Sequence, residues 1–341
     1  MVSSEKKFNN LFIYWLNINF CLVFLMIIIG GLTRLTDSGL SITEWELFSG
    51  ILPPLTNTSW ETYFELYKKI PQYELLNSTM TLSEFKVIFY WEYFHRILGR
   101  IIGLFFLIPL IFFYFSKKIN PKLLNSCYLI FILILAQGFV GWYMVQSGLV
   151  NDVTVSHYRL SVHLTIAIII LALIFWNSLN IKNDNYKNFF RISKKNIFYF
   201  LFIILIFFQI ILGAFVSGLN AGKIYQSWPL MGSSYFPNDL TINSFFNFFN
   251  FDNHSLIQFY HRNFAYLITI CAIYLIFNIF KNKEKKLYTP GLILLLILIS
   301  QVVLGIFTLL SDLHIAIASF HQITGVLLVL ASLNLYYSAI K

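Results

Sequence analysis

Eight stretches of this chain stay apolar long enough to cross about 30 Å of hydrocarbon, which takes roughly 20 helical residues. They run roughly 11–31, 88–115, 123–146, 156–179, 196–219, 256–280, 288–310 and 314–339. Composition agrees: 58% of residues are hydrophobic, 11% are charged and the mean hydropathy is +0.71. A soluble domain carries about 25% charged residues. The expectation is an all-α polytopic membrane protein with a lipid bilayer as its solvent.

The net charge of +9 could suggest a nucleic-acid partner, but its distribution argues against one. Fifteen of the 24 Lys and Arg fall in segments on one side of the expected helices: Lys6 and Lys7, Lys117, Lys118 and Lys122, the 182–195 segment, the 281–286 segment and Lys341. Acidic residues collect on the other side. This positive-inside pattern expects both termini in the cytoplasm. The first apolar stretch is too long for a signal peptide, and Gly30-Gly31-Leu32-Thr33-Arg34 offers no small-residue cleavage site, so it reads as a retained helix. No Arg-rich organelle presequence precedes it, which expects a bacterial inner membrane. Cys21, Cys127 and Cys271 lie in or near apolar segments, with no spacing for a metal site or a disulfide framework.

The chain matches itself. Gly30 aligns with Gly213, Asp37 with Asn220, Gly39 with Gly222, Trp45 with Trp228 and Pro54 with Pro237; further on, His95-Arg96 aligns with His261-Arg262, Gln137 with Gln301, Gly141 with Gly305 and His163 with His321. Each half holds four helices, and an even number preserves orientation. The expected architecture is two parallel, pseudo-symmetric four-helix bundles, residues 1–180 and 181–341. The repeated glycines either let helix backbones approach closely or make room for a flat ligand. The long outer loops, about 32–87 and 220–255, are caps over a site or plain linkers.

Four histidines lie in this repeat as two pairs, His95 with His163 and His261 with His321, each one to two turns inside the same side. An imidazole in hydrocarbon needs a polar partner or a metal. Two imidazoles from facing helices suit the axial positions of an iron porphyrin. Zinc would prefer a compact tetrahedral set, and the division into pairs suits two macrocycles better. His157, His254 and His314 fall at helix entrances or in loops, break the repeat, and keep an open role. Arg96, Arg100, Arg159 and Arg262 lie near the same level, with Arg34 a weaker candidate. Arg96 and Arg262, which are equivalent, either pair with anionic propionates or snorkel to the interface.

The halves differ one turn before their first histidine. Glu92 stands three residues before His95, and Gln258 stands three before His261. Positions i and i+3 share a helix face, so each side chain points toward its own site. A carboxylate at that depth is paired, with Arg96 the nearest candidate, or it is used. The asymmetry expects chemistry in the first half and a permanent group in the second.

Six stretches carry a resemblance: GGLTRLTDSGLSITEW at 30–45, EYFHRILGR at 92–100, QGFVGWYMVQSGL at 137–149, HYRLSVHLT at 157–165, QFYHR at 258–262 and FHQITG at 320–325. With eight helices and four placed histidines, the chain resembles the haem A synthase family over nearly its whole length. The resemblance implies oxidation of the C8 methyl of haem O to a formyl group by successive hydroxylations, giving haem A for a terminal oxidase. It implies Glu92 as the catalytic residue, His95 and His163 at the substrate haem iron, and His261 and His321 as axial ligands of a haem b cofactor. One branch of the family has cysteine pairs in its outer loops; this chain has none there, so it resembles the branch shared by mitochondria and related bacteria. The implied partners are haem O, haem O synthase as its donor, and an unidentified electron acceptor, with homo-oligomerisation left open. The competing readings are a di-haem b-type electron carrier, which has no use for Glu92, and a small-molecule transporter, which leaves the histidines idle.

Overall fold

Among the described residues, all secondary structure beyond turns and one isolated bridge between Met231 and Ser234 is helical. The computed structural model describes residues 2–44, 49–150, 152–240 and 245–340, with backbone alone at 2–7 and 49. Trp45, one member of the repeat, lies outside the described residues, as do Lys341 and the side chains of Lys6 and Lys7. The chain divides into two compact units, Met1–Ile181 and Lys182–Lys341.

The first unit contains α1 (Val2–Leu35), α2 (Asn57–Tyr67), α3 (Pro71–Leu76), α4 (Leu82–Ser116), α5 (Pro121–Gly148) and α6 (His157–Lys182). The second contains α7 (Ile197–Gly218), α8 (His254–Lys281), α9 (Tyr288–Leu310) and α10 (Ile315–Ala339). Among the described residues, eight helices are long and apolar enough to cross a membrane. Their outward side chains are apolar too, with Leu135, Phe139 and Leu296 each about three-fifths exposed. Such surfaces are a liability in water and ordinary in lipid, where tails are as apolar as leucine. The protein is a multi-pass membrane protein.

Helix ends follow local chemistry. Thr81 and Glu84 form a reciprocal capping box that starts α4 at Leu82, earlier than the apolar run alone suggested. Those extra turns are amphipathic. Phe85 and Phe89 join Leu40, Ile42, Trp60, Phe64, Tyr67 and Ile70 in a buried cluster that packs the loop between α1 and α4 onto α4. The loop is thus a folded cap. Inside it, Tyr67 donates to Gln72, Asn77 donates to the Tyr67 hydroxyl, and Gln72 donates to the Asp37 carbonyl. Burial pushes the Tyr67 hydroxyl above its ordinary pKa, so it remains a donor at any physiological pH.

Equivalent residues turn the chain out of the first helix of each unit. Asp37 after α1 and Asn220 after α7 both take left-handed backbone, φ 50° and 53°. Short polar side chains tolerate that region better than most. In α4, Pro109 cannot donate to the Phe105 carbonyl four residues back. The Trp15 indole of α1 donates to that carbonyl instead, at 3.0 Å.

Candidate functional site

Each unit brings its two histidines together. In the first, the His95 and His163 rings lie 6.4 Å apart between centroids, with planes inclined by 52°. In the second, His261 and His321 are close enough to interact electrostatically. His163, His261 and His321 lie six or seven residues into their helices, whereas His95 lies 13 residues after Leu82 because α4 carries the extra turns that hold the cap.

A glycine on a neighbouring helix backs every one of these rings. A Cβ on Gly30 would come within 3.1 Å of the His95 ring, on Gly141 within 3.0 Å of His163, on Gly213 within 3.1 Å of His261 and on Gly305 within 2.9 Å of His321. The glycines therefore make room for imidazoles. At three sites the Cε1 edge faces the glycine; at His95 the ring is turned over and presents Nε2. One helical turn before three of these glycines stands a glutamine aimed at the same histidine. Gln137 donates to the His163 carbonyl at 3.0 Å, and Gln209 to the His261 carbonyl at 2.9 Å with ring Nδ1 at 3.1 Å. The Gln301 amide lies 3.5 Å from the His321 ring, whose Nδ1 donates to the Gln301 carbonyl at 3.1 Å. A helix hairpin bearing glutamine, glycine and histidine is thus a finer repeat than the half. The first hairpin departs from it, with Met26 one turn before Gly30.

Glu92 is buried and fully bonded. One oxygen accepts from Ser41 Oγ at 2.7 Å and from the Ile42 amide at 2.8 Å; the other accepts from Arg96 Nη2 at 2.7 Å and Nε at 3.1 Å. Arg96 also donates to the Ile42 and Glu44 carbonyls at 2.8 and 3.3 Å. The second unit repeats the grip on equivalent residues: Arg262 donates to the Tyr225 and Ser227 carbonyls, both at 2.8 Å, and Gln258 to the Tyr225 carbonyl at 2.9 Å. Both arginines therefore clamp the loop that follows the first helix of their unit. Arg100 donates to Gly50, Arg159 donates to the Tyr143 carbonyl and lies over its ring, and Arg34 pairs with Asp37. His157 is buried with its ring tilted against Tyr158, His254 opens α8, and His314 stands at the N-cap of α10. None of these three joins either pair.

Could the two sites hold iron porphyrins? Two imidazoles sharing one ion through bonds of about 2 Å have ring centroids roughly 6 Å apart, close to the spacing observed in the first unit. Buried polar atoms without a hydrogen-bond partner among the described residues also gather here: Gln137 Oε1, His163 Nδ1, Gln209 Oε1, Gln258 Oε1 and Arg262 Nε. Orphaned buried groups are rare and mark places where a partner belongs. Among the described residues no cluster of three or more His, Cys, Asp and Glu is formed. The donor sets are pairs of imidazoles in apolar surroundings, and they fit haem.

Fold and site together define a multi-pass helical membrane protein whose two units, each with four membrane-length helices, each carry a histidine pair backed by glycines. Its residues 13–333 match the family model COX15-CtaA, described as cytochrome oxidase assembly protein. A protein of Pelagibacter ubique strain HTCC1062 named "Heme A synthase" is 50% identical over 321 residues, covering 93% of each chain. Another of that name from Rickettsia bellii strain OSU 85-389 is 44% identical over 329 residues, covering 96% of this chain and 97% of its own. A third, from Flavobacterium psychrophilum, is 42% identical over 322 residues. The chain belongs to the COX15-CtaA family of cytochrome oxidase assembly proteins.

Proposed function

We propose that this chain is a haem A synthase: it binds haem O in its first unit and oxidises the C8 methyl to a formyl group. The observation that carries this reading is the asymmetry between otherwise matched sites. Glu92, with Ser41 and Arg96, stands beside one histidine pair; Gln258 stands at the same position beside the other. A carrier of electrons alone has no use for that difference. The name of the relatives, "Heme A synthase", supports the same product.

In this reading His95 and His163 bind the iron of haem O and fix which ring edge faces Glu92. Converting a methyl to a formyl consumes one water and releases four protons and four electrons, most simply as two hydroxylations followed by loss of water. The Glu92 carboxylate stabilises positive character at the methyl carbon and accepts the proton released as water adds. Freeing an oxygen for that task loosens a bond to Ser41, Ile42 or Arg96, so cap and catalyst are coupled. His261 and His321 would hold a haem b, which would supply one-electron transfer. Arg262 keeps its buried Nε–H for a propionate of that haem. Arg96 is the corresponding partner on the substrate side. The electrons pass to an acceptor outside the chain, and haem O synthase is the inferred donor, since haem O dissolves poorly in water. Both termini are cytoplasmic, and the haem sites lie toward the outer face.

The full bonding of Glu92 favours a second reading, in which it is only a latch that holds the cap. Pigment extraction after co-expression with a source of haem O separates synthase from carrier. Recovered haem A supports the synthase, and haem b with unchanged haem O removes it.

A further inference from the structure

Five of the seven residues from Phe245 to Phe251 are phenylalanine, and the chain carries no charge from Leu240 to Phe251. The segment lies in the loop between α7 and α8, where Phe245–Phe249 form a short 3₁₀ helix. Its rings point away from the protein: Phe245 is 71% exposed and Phe246 81%, with Phe248 and Phe249 exposed beside them. The corresponding loop of the first unit does the opposite and buries Trp60, Phe64 and Tyr67. A contiguous apolar patch of this kind marks a contact surface.

Two helices measure where the patch lies. Lysines mark one membrane boundary: Lys194 and Lys195 before α7, and Lys281 at the end of α8. The Phe251 ring lies on Phe215 of α7, 6.2 Å between centroids. Phe215 stands 20 residues after Lys195, about 30 Å along a helix at 1.5 Å per residue. The Tyr260 hydroxyl of α8 donates to the Phe248 carbonyl at 2.8 Å. Tyr260 stands 21 residues before Lys281, about 32 Å by the same measure. The hydrocarbon core is about 30 Å thick, so both helices carry the phenylalanines to its other boundary. Irregular backbone is tolerated there only when its polar groups are paired. Besides the bond from Tyr260, the Asn250, Phe251 and Asn253 amides donate to the Asn247, Phe249 and Asn250 carbonyls.

We propose that Phe245–Phe251 is an in-plane membrane contact, its rings seated among acyl chains at the boundary remote from the lysines. Lipid is the partner because a lipid-facing surface runs into the patch. Leu201, Ile204 and Phe208 form an exposed stripe on the face of α7 that leads to Phe215, and Phe251 continues it. With no charge in the segment, the contact is hydrophobic and does not select anionic headgroups. It ties to the bilayer the same loop whose Tyr225 and Ser227 carbonyls Arg262 holds.

The test places a nitroxide label at Phe246→Cys in the full-length protein, reconstituted in phosphatidylcholine nanodiscs. Cys21→Ser and Cys271→Ser remove the other reachable thiols, and Cys127 is buried. Collisions with oxygen, which partitions into lipid, are compared with those of a water-soluble nickel chelate. Oxygen is expected to dominate at position 246, and the chelate at Lys285→Cys, an exposed control between α8 and α9. Chelate collisions at position 246 as frequent as at the control would put the rings in water and overturn the proposal. Protection from both reagents would mean a protein contact, such as a second copy of the chain, and would also overturn it. Adding phosphatidylserine should leave the ratio unchanged; a shift toward oxygen would make the contact electrostatic and overturn its hydrophobic basis. If Phe246→Cys does not fold, a label at Phe249→Cys is read by the same criteria.

Discussion

A single carboxyl separates the two units chemically, and its neighbours say how to test it. Gln258 already grips the loop carbonyl of Tyr225, so a glutamine is compatible with a closed cap. Glu92→Gln should therefore keep the fold and the haem while removing the base. The expected fall in haem A yield is about 10²–10⁴-fold, the usual worth of general acid–base catalysis. Unchanged yield would leave Glu92 as a latch only. Gly305 makes a second test. Its Cβ would lie 2.9 Å from His321 Cε1, so Gly305→Ala must displace the imidazole. Haem absorbance from the second unit should drop, and the same alanine at Gly103, where nothing lies within 4 Å of a Cβ, should leave it intact. The four histidines and Glu92 were legible in the sequence because polar groups stand out in apolar stretches. Ser41 and Gln209 were not, because each is an ordinary residue until another helix is placed against it.

Helices and loops carry their own stabilising devices. Trp15 supplies the donor that Pro109 denies to the Phe105 carbonyl. Trp15→Phe leaves that carbonyl unpaired and should destabilise the first unit by about 1–3 kcal/mol, read as a lowered thermal midpoint in detergent. In the second unit, Asp239 accepts from Tyr225 and Ser255 and so ties the loop between α7 and α8 to the start of α8. Burial opposes its ionisation, but the two hydroxyl bonds outweigh burial and hold its carboxyl below the ordinary carboxylate range. Its contribution is present above the unfolded value near pH 4 and is lost as pH falls through the lower folded value. Protease cutting in the 220–253 segment should rise on acidification, and less steeply in Asp239→Asn. Helix number was legible from apolar run length. The early start of α4 was not, because its first turns are amphipathic and lie on the cap rather than in a continuous apolar run.

The whole molecule has two units that share a plan and differ in equipment. Removing a ligand from one should empty that unit alone. His261→Ala and His321→Ala should lose the tightly held haem, read by absorbance of the purified protein, while His163→Ala keeps it. Retention of a full complement by both second-unit variants would move the resident haem elsewhere. Apolar run length was enough for a multi-pass helical membrane protein, and the internal match and the spacing of four histidines were enough to expect two halves with paired imidazoles. Those properties are written along the chain, in segment length and in residue type. The glycine behind each ring and the cap locked onto Glu92 and Arg96 came only from folding. Each depends on which side chains meet across separate helices, and distance along a chain carries no such information.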